Sequence, residues 1–325
     1  MVKKRTLRKA APLRRGSRVA LVAPAFSFDT KLFEQGRKFL EDKYQVETLV
    51  APDLFEKHAY FAGSDSRRLN ELTRWLKDPS IDAILAARGG YGCTRIYSAL
   101  LKNLKAVKRL RPKLVGGFSD LTILLNGLYQ DLGWVTFHSP HVVSRLFREP
   151  AKIESETFYQ HFFTSDPVGK IEWPEMKTLV VGTASAPLVG GCLSMVAASL
   201  ATPYEIETDG KILFLEDVTE QSYRIDRMLT HLLHAGKFNK VRAVIFGQMT
   251  DIVAPKDRPE LDAAAAIQLS VLPFLKQKKI PCIFGFPSGH GNPQVTFPIG
   301  TRVRLHAPAQ GPAWVDFFES GTEGL

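Results

Sequence analysis

Cysteine is scarce in this chain of 325 residues: there are three, Cys93, Cys192 and Cys282. They are widely spaced, odd in number, and include no C-x-x-C pair. That excludes a disulfide framework and a cysteine-based zinc site, and it suits thiols kept reduced in a cytoplasm. Long apolar runs are missing as well. No stretch reaches the roughly 18 apolar residues of a membrane-spanning helix. The run Val19-Ala20-Leu21-Val22-Ala23 is cut by Pro24. It falls short of the roughly 7–15 apolar residues of an export signal and reads as a first buried strand. Acids are absent from the first 18 residues, which carry Lys3, Lys4, Arg5, Arg8, Lys9, Arg14, Arg15 and Arg18, or +8 of the formal +10. The charge therefore describes a basic N-terminal arm, residues 1–16, read as a solvated tail, on a body close to neutral. It is not a basic binding face, and no nucleic-acid partner is expected.

What is present is a core. The hydrophobic fraction of 45% is ordinary for a globular chain, and the length suggests two domains. Strands are predicted at 18–24, Val46 to Val50, Ile81 to Ala87, Lys113 to Gly117 and Trp134 to Phe137. Helical spacing fills the gaps: Leu32 to Leu40, Arg67 to Leu76, a helix through Ile96 and Leu100, and Leu121 to Tyr129. Strands alternating with helices imply a parallel sheet covered on both faces. Residues 17–150 form this N-terminal α/β domain. The stretch 151–187 has no sustained period, holds Pro167, Pro174 and Pro187, and is taken as a linker. Residues 188–325 form a second domain. Its strands are expected near 211–216, 241–246, 281–286, 294–297 and 302–306, and its helices near 222–234 and 262–275.

Val115-Gly116-Gly117-Phe118-Ser119-Asp120 is the most informative segment. A short strand meets two glycines, then a serine, then a helix. A serine on such a turn is lifted off the sheet edge, and the next N–H points into the same space, which suits a nucleophile whose transition state carries an oxyanion. Serine is equally a preferred helix N-cap. Leu121 replaces the second glycine of a complete G-x-S-x-G elbow. The turn Arg88-Gly89-Gly90-Tyr91-Gly92 exposes N–H groups at a helix start but lacks the Lys-Ser/Thr of a P-loop. It could donate an oxyanion N–H, wall a carboxylate, or simply turn. Glu216 ends the apolar strand Ile212-Leu213-Phe214-Leu215, where a carboxylate can orient a histidine; Asp217 and Glu220 compete with it. Among eight histidines, His290 lies in the glycine- and proline-dense loop Phe286-Pro287-Ser288-Gly289-His290-Gly291-Asn292-Pro293, with His138 and His141 as rival bases. His231 and His234 lack a partner ligand, so no metal is expected.

These segments, in order from about Arg18 to His306, resemble the LD-carboxypeptidase family of serine peptidases. That family includes muramoyltetrapeptide carboxypeptidases and microcin C self-immunity peptidases. The resemblance rests on Ala23-Pro24, Ala87-Arg88-Gly89-Gly90-Tyr91-Gly92, Gly117-Phe118-Ser119-Asp120-Leu121-Thr122 and His138-Ser139-Pro140. It continues through Gly190-Gly191-Cys192-Leu193, Asp209 to Asp217, Tyr223 to Leu229 and Gly285-Phe286-Pro287-Ser288-Gly289-His290. Two departures stand near the expected site mouth: Ala25-Phe26 replaces the usual serines, and Cys192 replaces the asparagine of Gly-Asn-Leu.

The resemblance implies a flavodoxin-like N-terminal domain and a mixed α/β, barrel-like or swivelling C-terminal domain. It implies Ser119 as nucleophile, His290 as base and Glu216 as its orienting acid. The N–H groups of Asp120 and Gly90 would form the oxyanion hole, and Arg88, Gly89 and Tyr91 would meet the substrate. No cofactor is implied. The activity implied is a cytoplasmic serine L,D-carboxypeptidase, in a homodimer, that removes terminal D-alanine from murein tetrapeptides. Two alternatives are an immunity-type peptidase cleaving peptidyl or aminoacyl nucleotides, for which Trp173 and Tyr159 are candidate base platforms, and a non-catalytic binding protein on the same scaffold.

Overall fold

The computed structural model describes residues 6–107 and 110–324. In chain order the elements are β1 (Arg18–Val22), α1 (Thr30–Tyr44), β2 (Glu47–Val50), α2 (Asp65–Lys77), β3 (Ala83–Ala86), α3 (Cys93–Lys105), β4 (Leu114–Gly117), α4 (Thr122–Leu132), β5 (Thr136–His138) and α5 (Lys152–Phe163). There follow β6 (Gly169–Glu172), β7 (Lys177–Val180), β8 (Gly182–Cys192), α6 (Leu193–Ala198), β9 (Ile212–Val218), α7 (Ser222–His234) and β10 (Ala243–Thr250). The last are α8 (Ala263–Ser270), α9 (Leu272–Gln277), β11 (Cys282–Phe284), β12 (Phe297–Ile299), β13 (Arg302–Ala307) and β14 (Trp314–Phe317). Two compact units divide them. One comprises Met1–Pro167, Val295–Gly300 and Ser320–Leu325; the other comprises Val168–Gln294 and Thr301–Glu319.

The sheet of the first unit runs β12-β5-β4-β3-β1-β2. Its strands β1 to β5 are parallel, and the order 2-1-3-4-5 is the flavodoxin-like one, with its switch point at β1/β3. The short apolar strands, such as Ala83–Ala86, are buried throughout, because helices cover both faces. Helix starts follow the side chains available. Asp29 Oδ1 accepts from Leu32 N at 2.8 Å to open α1, and Ser64 Oγ accepts from Arg67 N at 3.2 Å to open α2. Gly133, at φ 71°, closes α4. One strand departs from the expected all-parallel sheet. β12 adds antiparallel to β5, with Phe297 opposite His138 and Ile299 opposite Thr136.

The sheet of the second unit has eight strands in the order β6-β14-β13-β8-β9-β10-β11-β7. Strands β8 to β11 are parallel to one another; β13, β14, β6 and β7 add antiparallel. The long β8 serves both halves. Gly182 to Pro187 pairs with β13, and Leu188 to Cys192 pairs with β9. The unit is mixed α/β as expected. Its sheet is open, edged by β6 and β7, with no closed barrel among the described residues.

The stretch 151–187 carries α5, β6, β7 and the first half of β8. Its helix is built on aromatics rather than a broad apolar stripe: Phe158 lies 5.2 Å from Phe147, and Phe162 lies 4.9 Å from Phe137, centroid to centroid. The basic arm differs from a solvated tail. Arg8 N donates to Gly133 O at 2.8 Å, Leu13 N to Phe162 O at 2.7 Å, and Ala10 and Leu13 are buried. Apolar residues set among the cations hold residues 6–16 on the first unit. Lys3, Lys4 and Arg5 lie outside the described residues.

Candidate active site

In the first unit, β4 ends at Gly117, and a single 3-10 turn, Ser119–Leu121, leads into α4. Ser119 sits at φ 59°. A non-glycine residue in that left-handed region costs roughly 1–2 kcal/mol, and such strain concentrates at functional positions. The cap position of α4 is Leu121, and no side chain caps it, so Ser119 is not spent as an N-cap there. The turn after β3 lies directly against this serine. A Cβ on Gly89 would meet Ser119 Cβ at 2.8 Å, His141 Cε1 at 2.9 Å and Ser119 Oγ at 3.0 Å. Gly90, at φ 106°, lies against the Phe26 ring, 2.5 Å from where its Cβ would be.

Arg88 is exposed. Its Nη1 donates to Ser27 O at 3.1 Å, its guanidinium stands 5.9 Å over the Phe26 ring, and no carboxylate pairs with it among the described residues. Tyr91 is part-exposed beside Phe61. Asp120 is fully buried, and its Oδ2 accepts from Cys93 N at 2.8 Å. Burial pushes its carboxyl up, opposed by hydrogen bonds from Cys93 and Gly92. The rival histidines are inward-facing. His138 stacks on Phe297 at 4.7 Å; His141 stacks on Phe118 at 4.2 Å, with Nε2 accepting from Phe118 N at 3.3 Å in one tautomer.

In the second unit, β9 delivers Glu216, fully buried, with Oε2 at 2.7 Å from His290 Nδ1. The two neighbouring acids turn elsewhere. Asp217 accepts from Ser194 N and Val218 N, both at 2.8 Å, and Glu220 pairs with Arg224 at 3.5 Å. Burial, with the Glu216 charge adding to it, pushes Asp217 up to about 6 against its backbone hydrogen bonds. For His290, burial disfavours the imidazolium, but the hydrogen bond and charge of Glu216, with Asp217 behind it, outweigh burial and hold the ring above the ordinary histidine value. A carboxylate on Nδ1 fixes the Nδ1–H tautomer, in which the lone pair that can take a proton sits on Nε2.

Gln248 carries no signal in the sequence, yet it clamps the histidine loop. Its N donates to Ser288 O at 3.0 Å, its Oε1 accepts from Gly291 N at 2.9 Å, and its Nε2 donates to Pro293 O at 2.9 Å. Gly289 has φ 142°, and a Cβ there would come 2.9 Å from Glu216 Oε2. Beside this loop, Trp173, Met249, Phe284, Gly291 and Asn292 line a cavity of about 380 Å³.

The LD-carboxypeptidase N-terminal domain model matches residues 19–139, and the LD-carboxypeptidase C-terminal domain model matches residues 185–305. The chain is 31% identical over 299 residues to a probable murein peptide carboxypeptidase of Bacillus subtilis (strain 168), covering 92% of this chain and 91% of that protein. Its structure is similar to a crystal structure of muramoyltetrapeptide carboxypeptidase from Oxalobacter formigenes, at 26% identity and TM-score 0.79, covering 94% and 99% of the two chains. The structure of MccF in complex with glutamyl sulfamoyl guanosine shares the fold at 21% identity and TM-score 0.81, covering 97% and 99%. With strand-end serine, carboxylate-bound histidine and both domain matches on the same chain, the protein belongs to the LD-carboxypeptidase family and is a serine-type carboxypeptidase.

Proposed function

We propose that the enzyme is a cytoplasmic L,D-carboxypeptidase that releases the terminal D-alanine of murein tetrapeptides. The observation that carries the reading is the 2.7 Å contact between His290 Nδ1 and Glu216 Oε2, an imidazole fixed for proton transfer on a loop that Gln248 holds in place. The named murein substrates of similar carboxypeptidases supply the substrate class.

In this reading Ser119 Oγ attacks the scissile carbonyl carbon while His290 Nε2 takes its proton. The N–H groups of Asp120 and Gly90 hold the oxyanion, each donor contributing roughly 2.7–4 kcal/mol in other hydrolases. The tetrahedral species collapses, the C–N bond breaks, and the imidazolium returns the proton to the leaving amine. Water, deprotonated by His290, then attacks the acyl-serine ester and releases the acid. Glu216 stabilises the imidazolium throughout. An exopeptidase must also recognise a free carboxylate, and Arg88, exposed and without a carboxylate partner among the described residues, is suited to a paired hydrogen bond.

Incubation with L-Ala-γ-D-Glu-diaminopimelate-D-Ala should remove one alanine mass; no loss would reject the murein reading. Arg88→Ala should raise KM roughly 10-fold or more for the free-carboxylate substrate, in keeping with the loss of a charge-assisted hydrogen bond, and change it little for the C-terminal amide. Equal effects on both would remove Arg88 from carboxylate recognition.

The second reading is cleavage of peptidyl or aminoacyl nucleotides. It is favoured by Trp173, which lines the cavity that also meets Gly291 and Asn292 next to His290 and offers an aromatic wall for a base. Tyr159 stacks on Phe163 at 5.3 Å in the first unit, with half its surface exposed. Turnover of an aminoacyl sulfamoyl nucleotide without turnover of the tetrapeptide would establish this second reading.

A further inference from the structure

We propose that the buried carboxylate of Asp120 is a positioning group that holds the two oxyanion donors at their working separation. This rests on the reading of Ser119 as nucleophile and of the Asp120 and Gly90 N–H groups as donors. Those two N–H groups come from different turns, one after β4 and one after β3. The ladder between β3 and β4 ends at Leu85 and Gly116, before either turn begins. The spacing of the donors therefore needs another tie.

Asp120 supplies it. Its Oδ2 accepts from Cys93 N at 2.8 Å, the first residue of α3 and the one that follows Gly92. The bond joins the residue that carries one donor to the far end of the turn that carries the other. Gly92, at the cap position of α3, has no side chain to cap the helix, so a carboxylate from another segment does so. On its other side the same turn is held by Arg68 of α2, itself fully buried. Arg68 Nη1 donates to Gly92 O at 3.0 Å and to Pro24 O at 2.6 Å, and its Nη2 pairs with Asp65. A Cβ on Gly92 would come 2.4 Å from Arg68 Nη1, so the grip allows only glycine there. The near end of the turn, Gly89, touches Ser119.

The tie is more than a helix needs. A neutral serine or asparagine caps a helix equally well, whereas a buried carboxylate is costly. The charge sits where the nucleophile turn must not shift against its neighbour, and a displacement of about 1 Å at such a place can cost roughly 10²-fold in rate.

The test measures kcat and KM for Asp120→Ala and Asp120→Asn on a substrate the wild type turns over, with thermal unfolding of each variant. A fluorophosphonate probe is run on the wild type alone. Asp120→Ala should lower kcat about 10²-fold with KM within about threefold, the pattern of a contact that matters only in the transition state. Asp120→Asn keeps an acceptor oxygen and should recover kcat to within about tenfold of wild type. An alanine variant with a lowered Tm but kcat within twofold of wild type overturns the proposal, and the carboxylate is then only a cap. Should Asp120→Ala fail to fold, Cys93→Pro removes the donor N–H at a first-turn position that tolerates proline. The same kcat loss supports the tie, and an unchanged kcat overturns it. The parent reading is judged separately: a wild type not labelled at Ser119 rejects the nucleophile and this proposal together. Labelling with an unaffected alanine variant rejects this proposal alone.

Discussion

Ser119→Ala is expected to reduce kcat by roughly 10⁶-fold, the loss seen when a hydrolase acting through a coupled serine and histidine loses either one. The variant keeps its backbone turn, because the hydroxyl makes no cap for α4, so its unfolding temperature should change little. In the proposed mechanism what disappears is the atom that forms the acyl bond. Residual rate above water from the oxyanion donors alone is about 10³–10⁴-fold in such enzymes. A variant retaining more than a hundredth of wild-type kcat would show that Ser119 is not the nucleophile.

Glu216→Gln carries the second large expectation, a fall in kcat of about 10⁴-fold, because an amide can present its N–H₂ to His290 and stabilise the wrong tautomer. It should also move the pH profile. In the proposed mechanism His290 acts as a base only when neutral, so the acid limb of kcat/KM should fall as pH drops through its pKa. That pKa is held above the ordinary histidine value chiefly by Glu216. In Glu216→Gln the midpoint should therefore shift to lower pH. Asp217, pushed up to about 6, broadens the wild-type limb, because the negative charge it loses as pH falls is one that helps His290 hold its proton.

The stability sign follows from the same shift. A histidine whose folded pKa is raised contributes stability that is fully present below its unfolded pKa, and that contribution fades as pH rises through the folded value. The difference in unfolding free energy between wild type and Glu216→Gln should then be larger at pH 5 than at pH 9. Urea titrations at the two pH values measure it, and an acid limb that does not move would separate Glu216 from His290.

Much of the fold is legible in the amino-acid sequence. The strand–helix alternation from Arg18 to Phe137 follows from apolar periodicity, and the glycine turn after β3 and the glycine pair that ends β4 mark where strands give way to helices. The choice among Glu216, Asp217 and Glu220 was not readable. It depends on which way each side chain leaves the end of β9, and there Asp217 goes to Ser194 N while Glu216 goes to His290. The segment 151–187 hid its structure because α5 buries a few aromatics rather than a continuous stripe, and because β6 and β7 are short edge strands with much exposed surface. Gln248 gives no sign at all, since an amide side chain that bonds to the backbone of a distant loop leaves no pattern along the chain.

The placement of β12 has a consequence for how the polypeptide is made. The first unit's sheet is completed by Phe297–Ile299, which the ribosome adds after the whole of Val168–Gln294. Until then the β5 edge has no partner on that side, and His138 lacks the ring it stacks on. An open strand edge invites pairing with another nascent chain. The domain that is synthesised first is thus the one that finishes late, and it waits on a segment translated after most of its neighbour has already emerged.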